Sequence, residues 1–589
     1  MAKFFSTEKG TVLRMDLIRA ALLAILVILA WCMVYDRWTI ESWETPLTYL
    51  SNPNEGDALA VFAEVKAARD GYFRPFQFTN IPELGAPYGA NWDDYPITEK
   101  PLIYLTGLLA GIIGIFAAAN FAVMAGQALA AISFYVACRM LSCSWLWSFA
   151  GALAFAFSRF AVAHGLHHLT VLYYWHVPLC LVVCEWIMRG EGIKFGGHRF
   201  KFALIVAFIT GIQHVYYTNI FVEFVLFGGL LQWWRRGWRW ALPAVAVIGT
   251  ALAALVIVNS NTIFYQLVHG GNGHAVVRNY DGLNLYGLKM VDLVIPPPDH
   301  RLPFFAAWGV NHLKESMVLP GEQPPPDYLG LLGLGALAWL VMASLRRVAG
   351  HAKLPLETFL ILWILLYATV GGINGIMGTL GFELFRTSAR YSIFILCIAL
   401  MFAVRRLSLV KFKERILAYG LAILLMLISI VDQTPPWVST RDLDETAVAV
   451  TSDRLFAEEM EKRLPANAMV FQVPIMEFPE TPLLNPYDHF LPYLYSHHLR
   501  FSFGTVKGRP QEEWQQKLGQ MELDALVPKL ESYGFSAVYV NRNRYSDKGQ
   551  NLIQLFKKAG REDMIESDRH DLLCVFLKPS PQPVLPDAN

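Results

Sequence analysis

Residues 17–35 read LIRAALLAILVILAWCMVY. A run of this length and apolarity matches the roughly 20 residues a helix needs to cross about 30 Å of hydrocarbon. Basic residues precede it and no small-residue cleavage site follows, which predicts a retained membrane helix rather than a removed signal. Further runs recur near 119–141, 145–163, 169–188, 201–216, 218–234, 240–259, 327–345, 355–371, 388–404 and 415–431. The chain therefore reads as a polytopic α-helical membrane protein with about eleven transmembrane helices. Composition agrees: of 589 residues, 54% are hydrophobic and only 16% charged, and mean hydropathy is +0.36. With 49 Lys+Arg against 48 Asp+Glu, there is no basic field to hold nucleic acid. Cysteines lie mostly in or beside apolar runs and outline neither a disulfide framework nor a thiolate metal site.

Basic clusters orient the spans. Lys3/Lys9/Arg14/Arg19, Arg189/Lys194/Arg199/Lys201, Arg235/Arg236/Arg239, Arg346/Arg347/Lys353 and Arg405/Arg406/Lys411/Lys413/Arg415 mark cytoplasmic loops, whereas the short loops 164–168 and 214–219 carry no Lys or Arg. This predicts a cytoplasmic N-terminus and places loops 36–100 and 260–326, with the tail, outside the cytoplasm. The apolar stretch 101–118 would reverse the sign of every later loop, so it reads as re-entrant or paired within the first-loop region. The expected organisation is a transmembrane domain over 1–431 and an extracytoplasmic α/β domain over 432–589. In that tail AMVFQVPIM, FSAVYVNRN and DLLCVFLKP read as strands, and EEWQQKLGQMELDALVPKLESYG and NLIQLFKKAG as helices. The two PPP runs, 296–298 and 324–326, stiffen the second loop.

The first loop holds GDALAVFAEVKAARDG, residues 56–71. Leu59, Val61, Phe62 and Val65 recur at helical spacing, which predicts a short helix lying in the membrane interface with Asp57 at its N-terminus. There Asp57 can serve simply as a helix cap, or as a proton acceptor whose pKa the interface raises. Asp93, Asp94 and Glu99 form a second acidic set, suited to sugar hydroxyls, to a divalent cation on hard oxygen ligands, or only to solvent. No other cofactor is indicated. Lys100, Arg278, Lys289, Arg386 and Arg390 are candidate phosphate ligands; Arg386 and Arg390, four apart, would share one helix face. Snorkelling at span ends explains such arginines equally well. His164 and His168, with His167 and His176, suggest a polar rim of a substrate cavity more than a zinc site, joined by His214, Tyr216 and Tyr217.

EGDALAVFAEV, SRFAVAHGLHHL, DYLGLLGLGAL, and VPIMEFPE followed by YLYSHHLRFSFGTVKGR occur within this layout of a long first loop, polytopic core and polar tail. Together they resemble the GT-C superfamily of integral-membrane glycosyltransferases, over nearly the whole chain. The resemblance implies a polyprenyl-phosphate-linked sugar donor, membrane lipids as surroundings, and a glycan, lipid or protein acceptor. It also implies a bacterial inner-membrane location and an acidic first-loop residue acting on the acceptor, here Asp57. A lipid-linked saccharide flippase and a non-catalytic envelope-polysaccharide assembly subunit stand as alternatives. The first would concentrate ionisable groups within the spans. The second would tolerate neutralising Asp57.

Overall fold

The computed structural model describes residues 7–49, 57–74, 77–94, 99–190, 193–316, 321–322, 325–436, 438, 440–480 and 486–587. Lys3 and Pro324, used in the sequence reading, lie outside them. The chain forms two compact units: Met1–Trp38 with Phe121–Val258 and Arg278–Val438, and Thr39–Asn120 with Asn259–Val277 and Ser439–Asn589. The tail therefore shares its unit with residues 39–120 and 259–277.

Among the described residues, eight helices are long and apolar enough to cross a membrane. They are Arg14–Tyr35, Ile115–Met140, Trp145–His164, Leu169–Arg189, Val215–Arg236, Gly330–Ala349, Ser388–Leu407 and Arg415–Gln433, and Leu242–Val258 with Ser260–His269 would make a ninth if the two are one span. This is a multi-pass membrane protein with fewer full-length spans than the eleven expected. The other two apolar runs form the helices His198–Gly211, 14 residues, and Leu356–Ala368, 13 residues. At 1.5 Å per residue each is roughly 20 Å long, short of the hydrocarbon thickness.

In the first unit, Trp145–His164, Leu169–Arg189 and Ser388–Leu407 are each 83% buried over their most apolar stretch, against 22% for Gly330–Ala349 and Arg415–Gln433. The latter two leave wide apolar faces for lipid, as peripheral membrane helices do. Charges inside the unit are paired: Arg405 bridges Glu185 at 2.7 Å and Glu357 at 2.8 Å, tying the Leu169–Arg189 and Leu356–Ala368 helices together.

In the second unit a five-stranded mixed sheet has the order β4-β3-β5-β7-β6, where β3 is Met469–Val473, β4 Arg500–Phe501, β5 Phe535–Asn541, β6 Met564–Glu566 and β7 Leu572–Phe576. β5 lies parallel to β3 and antiparallel to β7. All seven residues of β5 are buried, which is why Ala537, Val538, Tyr539 and Val540 run apolar in succession rather than alternating with polar residues. Phe471, Trp514, Leu530, Val538 and Val575 form its core together with Ala86 from the first loop. That loop closes the β4 edge: Phe501 N–H donates to Glu83 O at 2.8 Å and Ala86 N–H to Phe501 O at 2.9 Å, which satisfies an edge that would otherwise stay unpaired. The ribbon β1 (Asn80–Ile81) and β2 (Ala90–Asn91) continues from it.

Asp57–Arg69 is helical, as its apolar spacing predicts. It is not an interfacial helix with one wet face. Ala58, Leu59, Phe62, Ala63, Val65 and Ala67 are buried, and so is Lys66, whose ammonium meets Asp70 at 2.6 Å and lies 4.3 Å from the Tyr493 ring. Packing partners within the unit cover faces that a membrane surface would have left wet. Residues 101–118 do not form one element: Lys100–Ile113 is a helix ended by Gly114 at φ 87°, where the span Ile115–Met140 begins. Gly114 supplies a backbone conformation that L side chains resist. The Lys100–Ile113 helix packs on the Asp57 helix at Gly107, where an added Cβ would lie 2.4 Å from the Ala68 Cβ and 2.8 Å from the Arg69 nitrogen. Only a residue without a side chain allows that approach. Gly107→Val should destabilise the protein by about 1–3 kcal/mol, the usual cost of overpacking. Gly111→Val, on the same helix with nothing within 4 Å of the new Cβ, should not. Thermal unfolding of the two purified variants checks this, and equal midpoints would refute the close contact.

Candidate functional site

Asp57 is the first residue of its helix and Glu64 stands seven residues on. Two helical turns bring them to one stripe. Glu99, buried, precedes the first residue of the Lys100–Ile113 helix that packs against them. Burial pushes the Glu64 carboxyl up to about 8, and the charges of Glu99 and Asp57 add to the shift. An acid of this kind holds its proton at neutral pH. The sequence reading passed over Glu64, which looked like part of a solvated polar face.

Asp93 and Asp94 both meet protein partners. Asp93 Oδ2 accepts the Thr79 backbone N–H at 2.7 Å and the Asn91 amide at 3.2 Å, and its Oδ1 lies 3.8 Å from Lys100 Nζ. Burial raises the Asp93 carboxyl and lowers the Lys100 ammonium. Asp94 receives a forked pair from Arg509, Nε at 2.6 Å and Nη2 at 2.8 Å, with Asn272 Nδ2 at 3.1 Å. Asp94 is thus held by protein partners, whereas Asp93 Oδ1 and Lys100 Nζ are buried without a hydrogen-bond partner, 3.8 Å from each other. Among the described residues no three His, Cys, Asp or Glu side chains are placed to hold a metal ion.

In the first unit the candidates converge on a residue the sequence reading missed. Glu322 Oε1 accepts Arg390 Nη2 at 2.6 Å and Nε at 3.1 Å, while Arg390 Nη1 lies 3.2 Å from His214 Nε2. His164 Nε2 and His168 Nε2 each stand 3.6 Å from a Glu322 oxygen, and the Arg390 guanidinium lies over Tyr216 at 5.3 Å. Burial acts to raise the Glu322 carboxyl, but Arg390 and the imidazoles outweigh it and hold it well below the usual range. Burial, with Arg390 nearby, keeps His214 neutral. A lone acid in the Gly- and Pro-rich GEQPPP was the available signal. Arg386 and Arg390 do not share a helix face, because the helix begins only with the 3₁₀ turn Ser388–Tyr391. Arg386 precedes it and stacks over Tyr286 at 4.9 Å. Arg278 is half-buried at the start of its segment, and His176 stands apart, 3.1 Å from the Thr210 hydroxyl.

No protein-family model matches the chain, and no curated protein matches it. Among solved structures it is similar to ArnT from Cupriavidus metallidurans bound to undecaprenyl phosphate, with a TM-score of 0.43 and 13% identity over 99% of this chain and 100% of that one. It is also similar to the mycobacterial arabinofuranosyltransferase AftD, with a TM-score of 0.44 and 13% identity over 89% of this chain and 36% of that one. At these identities no residue of either protein maps onto this chain.

The raised Glu64 carboxyl makes stability depend on pH. An unfolded Glu ionises near 4.5 and the folded one near 8, so between these values the folded chain binds the extra proton. The contribution of Glu64 is complete below about pH 4.5 and is lost as pH rises toward about 8. Glu64→Gln should remove that loss: its unfolding midpoint should gain on wild type progressively from about pH 5 to about pH 8. Parallel melting curves across that range would show that Glu64 titrates normally.

Proposed function

We propose that this protein is a GT-C-type membrane glycosyltransferase that moves a sugar from a polyprenyl-phosphate-linked donor to an extracytoplasmic acceptor, a cell-envelope glycan, lipid or protein, with Asp57 as general base. The bond from the anomeric carbon to the phosphate oxygen breaks, the acceptor oxygen bonds to that carbon, and the acceptor proton passes to Asp57. Polyprenyl phosphate departs as an anion and needs no general acid. The observation that carries this reading is the Asp57, Glu64 and Glu99 set. Glu64, its carboxyl raised by burial, holds a proton at neutral pH beside Asp57, which removes one competing charge from the stripe. Within the first unit, Arg390, His164, His168 and His214 gather around Glu322, a cationic and polar cluster of the kind that receives a phosphate. ArnT, one of the similar structures, was solved with undecaprenyl phosphate, a lipid of the proposed donor class. On this reading the protein resides in a bacterial inner membrane with its N-terminus cytoplasmic and its tail periplasmic, in keeping with the basic loops.

A flippase for lipid-linked saccharides is the second reading, favoured by the buried Glu322–Arg390 pair beside three imidazoles, since transporters gather ionisable groups at their substrate path. It would move the donor intact, whereas a transferase frees polyprenyl phosphate.

Asp57→Asn keeps size and helix-terminal hydrogen bonding but removes the proton acceptor. Expression and membrane insertion should survive, and sugar transfer from a polyprenyl-phosphate donor should fall by on the order of a hundredfold or more. Full turnover in the Asn variant would move the base to Glu64 or Glu99.

A further inference from the structure

The second unit holds a cleft of about 770 Å³ between the β1–β2 ribbon, the helix Ser260–His269 and residues 505–511. Its size falls within the roughly 300–1,000 Å³ of small-ligand sites. Phe78, Tyr88 and Tyr265 line it. Phe78 meets Tyr265 edge-on at 5.4 Å, and Tyr265 stacks on His269 at 4.3 Å, so the aromatic wall is held by its own contacts. Between the rings lie amides and a hydroxyl. Asn80 and Gln511 line the cleft, and Asn80 spends its oxygen on Asn91 at 2.8 Å. Thr505 also lines it, is 6% exposed, and its hydroxyl is buried with no hydrogen-bond partner. A buried hydroxyl left unpaired is costly and calls for a partner.

Charge narrows the ligand further. Among the described residues Arg509 is the one guanidinium in the lining, and its charge is taken up by the fork to Asp94, with further hydrogen bonds at 2.8 Å to His269 O and Gly270 O. No carboxylate lines the cleft among the described residues. It therefore suits a ligand that is uncharged, rich in hydroxyls, and has a C–H face to lay on a ring. The negative face of an aromatic ring attracts such C–H groups, and amide and hydroxyl side chains pair with the hydroxyls.

We propose that this cleft binds a neutral saccharide and serves as the acceptor-glycan subsite of the protein. The acceptor role rests on the transferase reading above; the binding does not.

Saturation-transfer difference NMR on the full-length protein in detergent micelles tests it. The probes are maltose, cellobiose, chitobiose and melibiose, with glucuronic acid as the charged comparison. At least one neutral disaccharide should receive saturation, and Phe78→Ala and Gln511→Ala, in separate segments and both at the surface, should each weaken its binding roughly tenfold. Gly111→Val, away from the cleft lining and with nothing within 4 Å of the added Cβ, should bind the sugar as wild type does. Absence of transfer to every neutral sugar, binding confined to glucuronic acid, or wild-type binding by both cleft variants would overturn the proposal. Sugar binding by a protein that transfers no sugar would overturn the transferase reading and leave the cleft standing.

Discussion

Two helices meet almost backbone to backbone at Gly107, where any side chain would strike Ala68. That contact brings the buried Glu99, at the entry to one helix, toward Asp57 and Glu64 on the other. Carboxyls crowded away from water cannot all ionise, so one retains a proton, and burial assigns it to Glu64. The acid–base character of the set follows from helix approach more than from any one residue. It also accounts for a chain that places small residues, Ala67, Ala68 and Gly107, where a larger side chain would add buried apolar area.

Elsewhere the protein meets the cost of buried charge in the opposite way. Glu322 stays ionised because Arg390 lies 2.6 Å away, and Asp94 is held by Arg509 at 2.6 Å. Breaking such a pair by removing one partner is more damaging than its net worth suggests, because the other charge is left uncompensated. The same fold therefore holds carboxyls of two kinds: ones paired with a guanidinium, and Glu64, which burial leaves protonated at neutral pH. On the proposed reading Asp57 is the general base, and Asp94, forked to Arg509, is not available for that role.

Local pattern carried much of this. Apolar runs located the eight long spans, and apolar spacing located the Asp57 helix, because hydrophobic period and length are local properties. What sequence could not show depends on distance along the chain. Asp94 and Arg509 are 415 residues apart, and Glu322 and Arg390 are 68 apart, so neither partner signals the other. The two short helices were overcounted because an apolar run does not reveal where its helix begins and ends. Arg386 and Arg390 have helical spacing, yet the helix starts between them. The surroundings that shift Glu64 include Glu99, 35 residues away, so the apolar spacing of its own helix carries no signal of it.

The central claim is that a sugar leaves a polyprenyl phosphate on this protein. Its most direct test is to reconstitute the purified protein in lipid nanodiscs with radiolabelled polyprenyl-phosphate sugars and bacterial envelope fractions, and to follow free polyprenyl phosphate and labelled product together. At least one donor should yield both in equal amounts, dependent on the protein. A folded, inserted protein that leaves every donor intact, or carries it across the bilayer unchanged, would contradict the account.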